Sequence, residues 1–184
     1  RIFFSNSFDG IDEEYAGKVL SDLCKEGRLV RISQGVYLKP LMSSFGPVYP
    51  TPIEIVEAIS KRDKSQILPT GAVALNMLGM STQVPMNSVF ITSGSARDIN
   101  IGNKTVKLKR SVPKNFLYKG KIMPIVVLTI KSIEKENMSD FYENEIKRVL
   151  RENPEEKTWN EDLSLVPLWI RKIIIKQKEE LRNE

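Results

Sequence analysis

An α+β fold is predicted for this 184-residue chain, with a winged helix-turn-helix at the N-terminus and a mixed α/β domain after it. Three patterns carry the prediction. Between Asp12 and Pro40 an amphipathic helical segment runs straight into an alternating hairpin. At 88–110 β-branched and alternating segments return. After Pro52, around Phe141 and after Pro167, apolar residues recur at helical spacing.

Residues 1–11, RIFFSNSFDGI, read as the end of a packed element and a loop, with Ile2, Phe3, Phe4 and Phe8 plugging the core beneath the helix. Phe3 to Phe8 is short for the helix that a helix-turn-helix needs ahead of its reader. The reader itself follows. Asp12 suits the N-cap, Glu13 and Glu14 suit the first turn, and Gly27 suits the C-terminal stop. Ala16, Val19, Leu20, Leu23 and Cys24 share one face at spacings of three and four. The opposite surface carries Tyr15, Lys18, Ser21, Asp22 and Lys25, hydrogen-bonding groups of the kind that read base edges. The same residues suit a solvated face equally well.

In the hairpin, Val30 and Ile32 alternate with Arg31 and Ser33, and Val36 and Leu38 with Tyr37 and Lys39. Gly35 suits the left-handed position of a bulged turn. One face then packs on the helix and the other is free. This places Arg28, Arg31, Ser33, Gln34, Tyr37 and Lys39 as wing contacts to phosphates or a minor groove.

Residues 41–52, LMSSFGPVYPTP, hold three prolines and one glycine and read as a linker. They divide the chain into 1–45 and 50–184. Thr51 and Pro52 start a helix to about Arg62, with Ile55, Val56 and Ile59 as its stripe. A short extended piece at Ile67–Leu68 leads into a buried helix of small and apolar residues that Gly79 ends. Val89 to Ile91 reads as a strand, and INIGNKTVKLK as a hairpin with Ile99 and Ile101 facing Val106 and Leu108. The run IMPIVVLTI at 122–130 favours a strand by propensity, but periodicity fits a buried helix as well. Phe141, Ile146, Val149 and Leu150 outline a helix, residues 153–162 an acidic loop. In the last helix, after Pro167, Trp169, Ile173 and Ile174 pack while Ile170 and Ile175 widen the stripe. That breadth suits another subunit or a partner, a dimer through this helix being one of the arrangements it allows.

Charge is uneven. The formal net charge is +5, yet residues 1–40 hold six basic and six acidic residues. Residues 97–131 hold nine basic residues and one acidic. Phosphate binding needs cations, so the neutral reader implies help from Lys104, Lys107, Lys109, Arg110, Lys114, Lys119 and Lys121. Phe116 and Tyr118, interleaved with these lysines, suit stacking on bases; a solvated lysine-rich sheet is the alternative.

Catalysis is not expected. With no histidine there is no His-based triad or zinc cluster, and Cys24, the single cysteine, sits on the apolar face of its helix. No metal or cofactor set is visible. Gly94–Ser95 followed by Asp98 has the outline of a nucleotidyltransferase motif, but Asn100 stands where a second carboxylate belongs. Such an enzyme requires several carboxylates converging on Gly94–Ser95. No run spans a bilayer and no signal peptide is present, which predicts a cytoplasmic protein.

LSDLCKEGRLVRISQGVYLKP at 20–40, TPIEIVEAI at 51–59, LPTGAVALNMLGMSTQVP at 68–85 and INIGNKTVKLKRSVPKN at 99–115 together resemble the AbiEi-like antitoxins of type IV toxin–antitoxin (abortive infection) systems. The likeness is closest to bacterial regulators near that family and covers most of residues 1–150. It implies a winged helix-turn-helix that binds repeats near its own promoter and represses transcription. It also implies an antitoxin-like second domain that counteracts a nucleotidyltransferase toxin. Tyr15, Lys18, Ser21, Asp22 and Lys25 would then lie on the reading helix and Arg31 and Tyr37 on the wing. A protein-binding module on the same scaffold remains the other reading.

Overall fold

The computed structural model describes residues 1–153 and 158–183. It is a mixed α/β fold of three small sheets and seven helices among those residues.

Residues 2–4 form a strand, β1 (Ile2–Phe4), where a packed element and loop were expected. Turns, not a helix, lead from it to α1 (Glu13–Lys25). Asp12 caps α1 as expected, its carboxylate accepting the Tyr15 N–H at 3.0 Å. At the other end the Gly27 N–H donates to the Cys24 carbonyl and the Arg28 N–H to the Leu23 carbonyl, the paired bonds of a Schellman stop. Gly27 makes this possible by taking φ of 71°.

Strands β2 (Val30–Ser33) and β3 (Val36–Leu38) pair antiparallel with a bulge between Arg31 and Ser33. β1 pairs on the other side of β3, giving the order β1-β3-β2. That pairing has a consequence for the wing. β3 is paired along both edges, and the main core lies on one of its faces and α1 on the other, so all three of its residues are buried. Val36 and Leu38 face the main core; Tyr37 packs with Leu20, Leu29, Phe3 and Leu23 under α1. The expectation that Tyr37 lies on a free face is therefore corrected: its side chain is 5% exposed. Val19 is corrected the other way. The surface under α1 is narrow and takes only Ala16 and Leu20 fully, leaving Val19 exposed.

Residues 41–48 form a hairpin, β4 (Leu41–Ser43) and β5 (Gly46–Val48), instead of a plain linker. Then α2 (Pro52–Asp63) opens with Pro52 in the first turn and a full capping box between Thr51 and Glu54. Ile55, Val56 and Ile59 are its buried stripe, as predicted. β6 (Ile67–Pro69), α3 (Gly71–Met77), β7 (Asn87–Thr92), β8 (Arg97–Ile101) and β9 (Lys104–Arg110) follow. The four strands order as β6-β7-β9-β8, with β7 and β9 parallel. In the β8–β9 hairpin Ile99 lies opposite Val106.

The main core joins Phe4, Ile32, Val36 and Leu38 to Ile55, Ile59, Phe90, Ile99 and Val106. Side chains from both sides of residues 41–52 thus share it. A second core lies in the C-terminal helices. Residues 122–133 are α4 (Ile122–Ile133), so the buried-helix alternative holds over the strand that propensity favoured. Burial nearly all round its axis explains the uninterrupted apolar run, and Pro124 falls in the first turn, where a missing N–H costs nothing. α4 packs with α5 (Asp140–Glu152) and α7 (Leu168–Arg182) around Val127, Ile130, Ile146, Val149, Ile170 and Ile174. Ile170, Ile174 and Gln177 form the buried line of α7, while Trp169 and Ile173 flank it. Part of the expected acidic loop is helical: α6 (Trp159–Leu163) buries Trp159 and Asp162. Residues 154–157 of that loop lie outside the described residues. No helix among the described residues is long and apolar enough to cross a membrane.

Candidate nucleic-acid interface

α1 is built so that one stripe is buried and a broad polar ridge is left to solvent. Tyr15, Lys18, Asp22 and Lys25 are exposed, and Ser21 is half-buried. Val19 joins them, one turn beyond Tyr15 and one before Asp22, and adds an apolar group of the kind that touches a thymine methyl. Helical periodicity assigned it to the core; only the width of the packing surface identifies it.

The charges on this ridge are partly tied to each other. Lys25 Nζ donates to Asp22 at 2.8 Å. That bond holds the Asp22 carboxyl below its ordinary range and raises the Lys25 ammonium. Arg28 lies 3.7 Å from Glu26. Lys18 and Arg31 are exposed. Burial pushes the Cys24 thiol up, which disfavours the thiolate.

The residues expected on a wing divide. Arg31 points away from the core, on the strand next to Tyr37. Ser33 does not point freely outward: its hydroxyl donates to the Asp98 carbonyl of β8 at 3.0 Å. Gln34 is exposed at the turn, where it lines a polar cleft of about 480 Å³ with Ser5, Glu13, Arg62 and Arg97. Lys39 is exposed in a different cleft, beside Glu54 and Ala58 of α2.

The basic segment is not one patch. Along β9, Val106 and Leu108 enter the core, so Lys107 and Lys109 are presented on the outer face. Lys104 and Arg110 have the opposite parity and fall on the other side of the strand. Lys104 lines an apolar groove with Tyr49 and Met77. Lys114 is exposed in a 3-10 turn (Pro113–Phe116). Lys119 and Lys121 border a cleft of about 390 Å³ with Phe116 and Tyr118, and Lys119 is ion-paired with Glu161. Tyr118 is half-buried, and burial raises its phenol.

β2 lies beside β8, the strand that pairs with β9 and so with Lys107 and Lys109. Ile32 of β2, Ile99 of β8 and Val106 of β9 face one core. Arg31, Lys107 and Lys109 therefore face away from that core, and α1 covers the face of β3 that carries Tyr37.

The stretch Gly94 to Asn100 runs past the polar cleft. Asp63 there is bonded by Arg97 at 2.9 Å and paired with Arg62, which also lies 4.4 Å over the Phe4 ring. Glu13 is the other carboxylate of the cleft. Among the described residues no group of three or more Asp, Glu, Cys or His is placed to hold a metal ion.

The family model DUF6088, described as a family of unknown function, matches residues 1–158. No curated protein matches the chain.

Proposed function

The chain belongs to DUF6088, and we propose that it is a non-enzymatic, DNA-binding transcriptional regulator that recognises duplex DNA. One observation carries the reading. Arg31 and the exposed ridge of α1 lie on the Tyr37 side of the N-terminal sheet, and Lys107 and Lys109 are exposed and face away from the core that this sheet shares with β8 and β9. An N-terminal segment without net charge that reads bases, beside a lysine pair that neutralises phosphates, is a sound division of labour. Phosphate contacts supply affinity and register, and base contacts supply sequence. The resemblance to AbiEi-like antitoxins extends the proposal: the chain represses its own promoter and its remaining part counteracts a nucleotidyltransferase toxin.

The test is an anisotropy titration of duplex from the chain's own upstream region, at several salt concentrations. Specific binding should exceed that of a scrambled duplex. Lys107→Ala with Lys109→Ala should lower affinity and reduce the salt slope by about 2. Equal binding to scrambled duplex, or none at low salt, overturns the proposal.

A second reading, a protein-interaction module on the same scaffold, draws support from the apolar hairpin at 41–48, where Phe45 is 99% exposed. It predicts that Tyr15, Lys18 and Asp22 become protected from solvent by another protein and not by DNA.

A further inference from the structure

The hairpin β4–β5 stands apart from the other sheets. Among the described residues its two strands pair only with each other, Leu41 opposite Val48 and Ser43 opposite Gly46. Its sequence, LMSSFGPV, carries no charge. Leu41 is 70% exposed, Met42 76% and Phe45, at the tip, 99%. Isolated two-stranded hairpins are marginal in water, yet this tip is ordered by its own bonds. The Ser43 hydroxyl accepts the Phe45 N–H at 3.2 Å and donates to the Gly46 carbonyl at 2.9 Å. An uncharged arm that presents a phenyl ring on a fixed turn is preorganised for docking.

A receptor of matching character lies at the base of the same arm. Tyr49, Pro52, Ile53, Met77, Val84 and Pro85 line a groove of about 440 Å³. Ile53, Met77 and Val84 are themselves exposed. The single ionisable ammonium or carboxylate on its wall is Lys104, at the rim. The arm brings no charge for the groove to bury, and the groove is mainly apolar, with Thr51, Asn76, Ser88, Asn103 and Lys104 as its polar members.

We propose that these are the two halves of a homodimer interface: Phe45 and Met42 of each copy enter the Tyr49–Met77–Val84 groove of a second copy. When the two copies are related by a two-fold axis, each arm meets the other copy's groove and every contact is made twice. The area also fits. The exposed apolar side chains of arm and groove together offer on the order of 800 Å² per copy, which is what one partner contributes to a standard interface. Docking proceeds through side chains and not by strand addition, because Pro47 removes a donor from β5. The arm follows β3 directly, so the dimer couples two copies of the α1–β3 unit through a short connection.

The experiment is sedimentation velocity of the full chain from about 1 to 100 μM, with light scattering for mass. The wild type should associate to a dimer. Phe45→Ser and, separately, Val84→Glu should each weaken it on the order of 30-fold or more, as a central aromatic anchor and its pocket do. Both sites are exposed, so circular dichroism and Tm should match the wild type. An equimolar mixture of the two variants retains one intact arm-and-groove pair and should dimerise better than either alone. A wild type that stays monomeric across the range overturns the proposal. So does a dimer that survives both substitutions, which would put the interface elsewhere, as on α7. A monomer that binds a different protein through Phe45 also overturns it.

Discussion

The Ser33 hydroxyl donates to the Asp98 carbonyl at 3.0 Å, and it is a direct hydrogen bond between the expected wing and the basic sheet. Ser33 ends β2, and Asp98 sits on the edge strand β8. The bond satisfies a carbonyl on the edge strand of the larger sheet. Ser33→Ala should cost about 1 kcal/mol in urea unfolding, the net value of an ordinary hydrogen bond. Its larger effect should be on DNA: if the β2–β8 junction aligns the two surfaces, affinity falls although Ser33 touches no phosphate. Unchanged affinity with unchanged stability would mean the shared apolar core holds the junction without this bond.

Tyr37 and Arg31, opposite each other on β3 and β2, separate packing from the proposed contact with DNA. It is buried among Leu20, Leu29 and Phe3. Tyr37→Ala should destabilise the fold by about 3 kcal/mol, as for other large core truncations. Tyr37→Phe should leave DNA affinity within twofold, whereas Arg31→Ala should reduce it. A tenfold loss of affinity in Tyr37→Phe, with stability intact, would return Tyr37 to the interface.

The parts of the fold set by local chemistry were legible from the residues. Asp12 and Gly27 bound α1, Thr51 and Pro52 start α2, and alternation paired Ile99 with Val106. What local patterns cannot supply is who lies on the far side of an element. Tyr37 reads as outward because strands alternate, but β1 makes β3 central and α1 closes its second face. Residues 122–130 are rich in β-branched side chains, and burial among the surrounding helices goes with their helical conformation. The seven basic residues of 104–121 look continuous in sequence; strand parity sends Lys107 and Lys109 one way and Lys104 the other. Phe45 was hidden among prolines that suggested a linker, and its exposure is a property of the hairpin that those prolines do not prevent.

Asp162 is a latch for the C-terminal core. It is 1% exposed, and its two carboxylate oxygens accept the Lys119 N–H at 2.8 Å and the Gly120 N–H at 2.9 Å. Those residues lead into α4, so α6 fixes where α4 begins. Asp162→Ala strands two backbone donors in a buried setting and should cost about 2–3 kcal/mol or more. Hydrogen exchange at Lys119 and Gly120 should accelerate first, ahead of global unfolding. An Asp162→Ala protein with wild-type urea midpoint and unchanged exchange at both amides would refute the latch.

The capping box at the start of α2 gives a pH-dependent contribution whose sign follows from its bonds. The Glu54 carboxylate accepts the Thr51 N–H at 2.6 Å and the Thr51 hydroxyl at 2.8 Å, and these bonds hold its carboxyl below the ordinary range. A depressed carboxyl contributes stability that is complete above its unfolded-state value and is lost as pH falls through the folded-state value. Glu54→Gln should therefore be less stable than the wild type at pH 7, and the gap should close in acid as wild-type Glu54 takes up its proton. Thr51→Ala removes the other half of the box and should cost about 1 kcal/mol at neutral pH. Thermal melts of the three proteins between pH 7 and pH 3 test this. A gap between wild type and Glu54→Gln that is constant over that range would show that the carboxylate charge plays no part in the cap.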